Sequence, residues 1–320
     1  MRRADILRRK VVDIDLTKVA GAAGLVAAME RGGGFSAKGI AQGVGILRTM
    51  FRRRGCVTFL SFPAAIMATG LRGVVRALVE RKLVDVVITT CGTADHDLAR
   101  VWEPYYHGSF ELDDVALHRL GVNRLGNILV PNESYGIVLE KKLRPILEDL
   151  WRSGRRSWST KELLWELGRR TRSRESLLWW AWKNRVPVYV PAITDGAVGY
   201  QLWAFWQDHR AFAVDVFRDE AELADLVFSA RETGALMIGG GVSKHHTIWW
   251  NQFRGGLDYA VLITTAPESD GSLSGARVRE GISWGKVKEA ARQVTIEGDA
   301  TAILPLMVAA AVGSRRARRR

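Results

Sequence analysis

The chain has 320 residues, 47% of them hydrophobic, and carries a formal net charge of +13. That is enough apolar material for one large α/β domain or two smaller ones. Two cysteines, Cys56 and Cys91, exclude a disulfide-stapled secreted fold, and no apolar run approaches the roughly 18 residues of a membrane-spanning helix.

The opening MRRADILRRK has no apolar stretch behind it. No secretory signal is therefore expected, and a reducing cytoplasm is the expected location. From Val11 to Glu30 the apolar residues fall at helical spacing, with Leu16, Val19, Ala20 and Ala23 on one side. Arg31-Gly32-Gly33-Gly34 breaks that helix, and Phe35 to Arg52 predicts a second.

The pattern then alternates. Cys56 to Leu60 predicts a buried strand, followed by a helix over about Ala64 to Lys82. Val84 to Thr89 is a strand apolar on both faces, as in a parallel sheet covered by helices. Asn127 to Val130 predicts a short strand. Ser159-Thr160-Lys161-Glu162 is a capping box that opens a helix to about Arg170. Val186 to Val190, Ala211 to Val216, Ala235 to Ile238 and Tyr259 to Thr264 are further strands, and Ile303 to Val312 is a buried terminal helix.

Strands alternating with helices predict a doubly wound, mostly parallel, Rossmann-like α/β fold with helices on both faces. The expected division is an N-terminal helical segment at 1–55 packing on the core, a catalytic α/β domain at 56–312 that holds the cofactor, and a disordered basic tail at 313–320. The Arg-rich tail and the Arg-rich stretch Arg152 to Arg174 read as solvated surface, because no groove-reading motif accompanies them. Neither a membrane nor a nucleic acid is an expected partner.

Sheets of this kind bind ligands beyond the carboxyl ends of their strands. Four predicted strand ends carry polar clusters: Thr90-Cys91-Gly92-Thr93, Thr194-Asp195-Gly196, Gly239-Gly240-Gly241 and Thr265-Ala266. The triple glycine suits close backbone approach to a nucleotide, or simply a tight strand-to-helix turn; it is not GxGxxG. His245-His246 suits a general base or a structural pair. No histidine has metal-ligand spacing, and no metal is expected. Glu280, Trp284 and Lys286 lie within seven residues. They suit a cationic substrate beside a reactive amine, but equally a surface helix with one core Trp.

A resemblance separates these alternatives. From about Cys56 to Val312 the chain resembles deoxyhypusine synthase. The pieces that carry it are VDVVITTCGT (from Val84), GNILVPNESY (from Gly126), PAITDG (from Pro191), GGGVSKHH (from Gly239), DYAVLITTA (from Asp258), DGSLSGAR (from Asp270) and SWGK (from Ser283), in family order. The resemblance implies a homotetramer with active sites at subunit interfaces. It also implies a sequence of steps. A hydride passes from spermidine to NAD. An enzyme lysine captures the resulting imine and releases 1,3-diaminopropane. The aminobutyl group then moves to one lysine of the hypusine-containing translation factor precursor, where the hydride returns.

By position, Lys286 is the implied imine-forming lysine and His245 the implied base. Glu280, Trp284, Asp270 and Gly271 match substrate positions, and Thr90, Gly92, Asp195, Gly240, Thr265, Ala266, Asp299 and Ala300 match NAD positions. Some positions depart from the better-known eukaryotic pattern: Tyr200 and Leu273 stand where the family has acids, Trp249 replaces an Asn, His96 a Glu, and Ala64-Ala65 a Ser-Asn. The rival readings are aminobutyl transfer to a small amine, as in a homospermidine synthase, and a non-catalytic scaffold binding the factor or RNA.

Overall fold

The computed structural model describes residues 7–313. In chain order the helices are α1 (Gly21–Gly32), α2 (Phe35–Arg52), α3 (Leu71–Glu80), α4 (Cys91–Trp102), α5 (Asp114–Arg119), α6 (Gly136–Arg152), α7 (Thr160–Thr171), α8 (Leu177–Asn184), α9 (Ala197–Asp208), α10 (Val216–Ser229), α11 (Gly241–Gln252), α12 (Glu280–Ser283) and α13 (Ala300–Val312). The strands are β1 (Cys56–Ser61), β2 (Val86–Ile88), β3 (Tyr106–His107), β4 (Val122–Leu125), β5 (Ile128–Pro131), β6 (Ser157–Trp158), β7 (Val188–Tyr189), β8 (Ala213–Val214), β9 (Glu232–Ile238), β10 (Leu257–Thr264) and β11 (Val287–Glu297).

Six strands form one sheet in the order β11-β10-β9-β1-β2-β7, and every neighbouring pair is parallel. Numbered by their own succession this is 3-2-1-4-5-6, the doubly wound order of dinucleotide-binding sheets. The chain reverses direction across the sheet between β1 and β9, so the crevice opens between their carboxyl ends. Side chains alternate between two cores, as the period of two requires. Phe59, Ile88, Met237 and Leu262 face one core with Leu223 and Ile248 of the covering helices α10 and α11. Leu60, Val87, Leu236 and Val261 face the other, with α2, α3 and α13. Helix α2 approaches closely enough that a Cβ on Gly43 would lie 2.5 Å from Met307 Cε and 2.9 Å from Ile296 Cδ1.

The structure corrects several expected elements. The helix expected from Val11 starts only at Gly21. The Asp15 side chain accepts from the Thr17 backbone and holds Leu16–Lys18 as a separate 3-10 turn, and Leu16 is exposed. The 64–82 helix is two pieces, a 3-10 turn at Ala64–Ala68 and α3. Thr69 splits them by donating to Ile66 O and accepting from Leu71 N. The strand expected at 211–216 shrinks to β8, which pairs with β6 outside the main sheet. The strand expected at 127–130 is β5 of a small antiparallel sheet. Edge strand β11 was not foreseen. Its charged, irregular pattern lacks alternation, and its pairing with β10 is interrupted near Leu257. The expected basic tail beyond Gly313 lies outside the described residues.

Candidate active site

The parallel sheet gathers the predicted cofactor residues at one end. Thr90 and Gly92 follow β2, Asp195 follows β7, Gly240 follows β9, Thr265 and Ala266 follow β10, and Asp299 and Ala300 follow β11. Five separate chain segments therefore converge through topology alone. Thr90 Oγ1 accepts from Ala64 N at 3.2 Å, which ties the β2 end to the β1 end. A Cβ on Gly92 would sit 2.7 Å from Ala64 Cβ, and one on Gly240 2.3 Å from Ser274 N. Both glycines are needed for close packing. Gly239 and Gly241 have φ of +62° and +72°, the left-handed region that glycine adopts without strain. Asp299 caps α13 by accepting from Thr301 N at 2.8 Å.

Lys286, His245, Glu280 and Trp284 share one cavity of about 190 Å³, lined also by Lys244 and Leu273. Lys286 is only 8% exposed although it is a lysine. Its Nζ lies 5.0 Å from the centre of the Trp284 ring and 5.7 Å from that of Trp249. Trp284 is 65% exposed, so it forms the rim and is not a core residue. Burial, then the Lys286 charge and His246, hold the His245 pKa below its ordinary value. His246 turns away, with Nε2 3.1 Å from Glu220 Oε2. The histidine pair thus splits between two environments.

Sequence reasoning missed Lys244. It is 2% exposed, and its Nζ donates to Leu273 O at 2.5 Å and Ala276 O at 2.6 Å. Burial pushes its pKa down to about 8, against an opposing pull from Glu280. Thr264 Oγ1 donates to Ser274 O at 2.9 Å, so the loop after β10 is pinned from two sides over Gly240. A lysine beside His245 in GGGVSKHH was the available signal. Asp270 and Gly271 sit on the exposed outer turn of this loop and do not line the cavity.

Fold and site together define a doubly wound α/β enzyme of the dinucleotide-binding type with a lysine in its cavity. The sequence pattern described as "DS: Deoxyhypusine synthase" matches residues 24–311. A Picrophilus torridus protein named "Probable deoxyhypusine synthase" is 53% identical over 97% of this chain and 99% of its own length. One of the same name from Thermoplasma acidophilum is 50% identical over the same shares. A solved structure of a deoxyhypusine synthase candidate from Entamoeba histolytica shares the fold, with a TM-score of 0.68 and 20% identity over 96% of this chain and 99% of that one. The chain belongs to the deoxyhypusine synthase family, a family of NAD-dependent transferases. Among the described residues no helix is long and apolar enough to cross a membrane.

Proposed function

We propose that this chain transfers the aminobutyl group of spermidine to a lysine of the hypusine-containing translation factor precursor, and that Lys286 carries the group. The observation behind this reading is a nearly buried amine in a cavity that also holds a histidine, a carboxylate and an indole. The amine attacks an oxidised polyamine only when unprotonated, and His245 is the adjacent group that takes the proton. Glu280 pairs with a substrate ammonium, and the faces of Trp284 and Trp249 attract it. Enclosure keeps water from the lysine imine.

The strand-end residues fit NAD. Helices α4 and α11 both begin there, so free backbone N–H groups and positive dipole ends favour an anion. Thr90, Gly92, Asp195, Gly240, Thr265, Ala266, Asp299 and Ala300 would hold it. When bound, NAD supplies hydride acceptance and later hydride return.

We also propose a homotetramer with sites shared between copies, as the resemblance to the family implies. Val287 pairs with Leu257 at the start of β10, and Glu297 pairs with Thr264 at its end. The Lys286 and Asp299 ends of β11 are therefore on the order of 20–25 Å apart at ~3.3 Å per residue. A second copy docked against these strand ends would complete a site built from both. We further read the described part of 1–55, with helices α1 and α2, as a segment on the catalytic domain 56–312, and place the enzyme in the cytoplasm.

Incubation with NAD, labelled spermidine, factor precursor and a competing small amine tests the reaction. Label on the precursor is expected; label on the small amine alone rejects the reading. The pH profile tests the base. His245 works as neutral imidazole and its pKa is lowered, so transfer is expected to persist below pH 6.5, the ordinary histidine value, and to fail only under more acid conditions. A His245→Ala variant with the same acidic limb would remove His245 from that role.

A further inference from the structure

We propose that Asp95 is a positioning residue that locks the β2 and β7 strand ends together and so sets the wall of the cofactor crevice on that side of the sheet. This rests on the reading that NAD binds at the strand ends. Asp95 lies one turn into α4, just beyond Thr90-Cys91-Gly92, and is wholly buried. Its Oδ2 accepts from Tyr135 Oη at 2.7 Å and from Ala197 N at 2.8 Å. Its Oδ1 accepts from Val198 N at 2.8 Å, with Cys91 Sγ at 3.8 Å.

Every one of these partners can donate, and the two backbone groups can do nothing else. The two backbone donors in particular favour the ionised carboxylate. Burial pushes its pKa up, and the bonds from Val198, Tyr135 and Ala197 pull it back. No ion pair to Asp95 occurs among the described residues. Its charge is met instead by the first turn of α9, a helix of 12 residues whose N-terminal N–H groups it caps.

Three motifs meet on this one side chain. Asp95 follows VDVVITTCGT, Ala197 follows PAITDG, and Tyr135 ends GNILVPNESY. The last motif gives no side chain to the Lys286 cavity and none to the strand ends, so the Tyr135 bond is a reason for its presence. The contact also accounts for Gly196, where a Cβ would lie 2.7 Å from Asp95 Oδ2 and 2.8 Å from Cys91 Sγ. His96 backs the arrangement. Its ring lies 5.4 Å from that of Tyr135, and its Nδ1 is 2.9 Å from Tyr105 Oη. Asp195 immediately precedes Gly196, and Thr90 and Gly92 lie on the other side of the lock. Loosening Asp95 therefore moves that wall of the crevice while leaving the Lys286 cavity intact.

The test compares wild type, Asp95→Asn and Tyr135→Phe in NAD titration calorimetry, steady-state kinetics and thermal melts. Asp95→Asn keeps the shape but turns an amide N–H₂ toward donors. It is expected to raise the NAD Kd and KM about tenfold or more, with kcat at saturating NAD within about threefold of wild type. Tyr135→Phe, which removes one donor, is expected to raise them about threefold. If wild type itself binds no NAD, the cofactor reading fails first. If wild type binds and the folded variants bind equally well, the Asp95 inference fails alone. Losses that only track the folded fraction, with NAD KM unchanged, also overturn it. Should Asp95→Asn not fold, Tyr135→Phe decides: unchanged NAD affinity rejects the lock.

Discussion

Lys286→Ala is expected to lower aminobutyl transfer by at least about a thousandfold, while NAD binding stays within about twofold of wild type. The argument is one of supply. A covalent carrier needs an amine that faces the cavity, and the cavity offers two, Lys286 and Lys244. The Lys244 ammonium is committed to the carbonyls of Leu273 and Ala276, so it cannot replace the missing carrier without releasing the loop. Borohydride reduction during turnover with labelled spermidine, followed by peptide mapping, checks this directly. An adduct on Lys244, or near-normal transfer by the Ala variant, would reject Lys286 as the carrier.

Lys244→Met should have the second largest effect. Met fills similar space but donates nothing, so the loop from Pro267 to Arg279 loses its anchor beneath Leu273 and Ala276. Two charge-assisted bonds disappear, and kcat/KM for spermidine is expected to fall about thirtyfold or more. Stability should respond differently. The folded pKa, about 8, lies below the ordinary lysine value of 10.5. Between those values the unfolded chain holds more protons than the native one, so native stability rises with pH across that window. Wild-type melts should therefore gain relative to the variant as pH climbs from 8 toward 10.5. Parallel melting curves for the two proteins would show that Lys244 keeps its proton throughout and carries no such linkage.

The parallel sheet was readable because its strands are apolar on both faces: VDVVIT and YAVLIT admit few other interpretations. The strand ends were readable for the same reason, since Gly, Thr and Asp interrupt those runs at the carboxyl side. Other features depend on partners remote in sequence. Val287–Glu297 forms a strand because β10 lies beside it, and its own residues, several of them charged, hide that. Lys244 looked like one more of the 47 Lys and Arg residues until the loop carbonyls were placed above it. The role of Asp95 required Tyr135 and Ala197, residues 40 and 102 positions away. Local periodicity carries no information about such meetings.

The proposed sharing of sites between copies, at the strand ends described above, has a consequence for how the protein behaves when scarce. On that arrangement a lone molecule is idle. The enzyme's output follows the encounters between copies, so dilution below the association threshold silences it faster than its abundance falls.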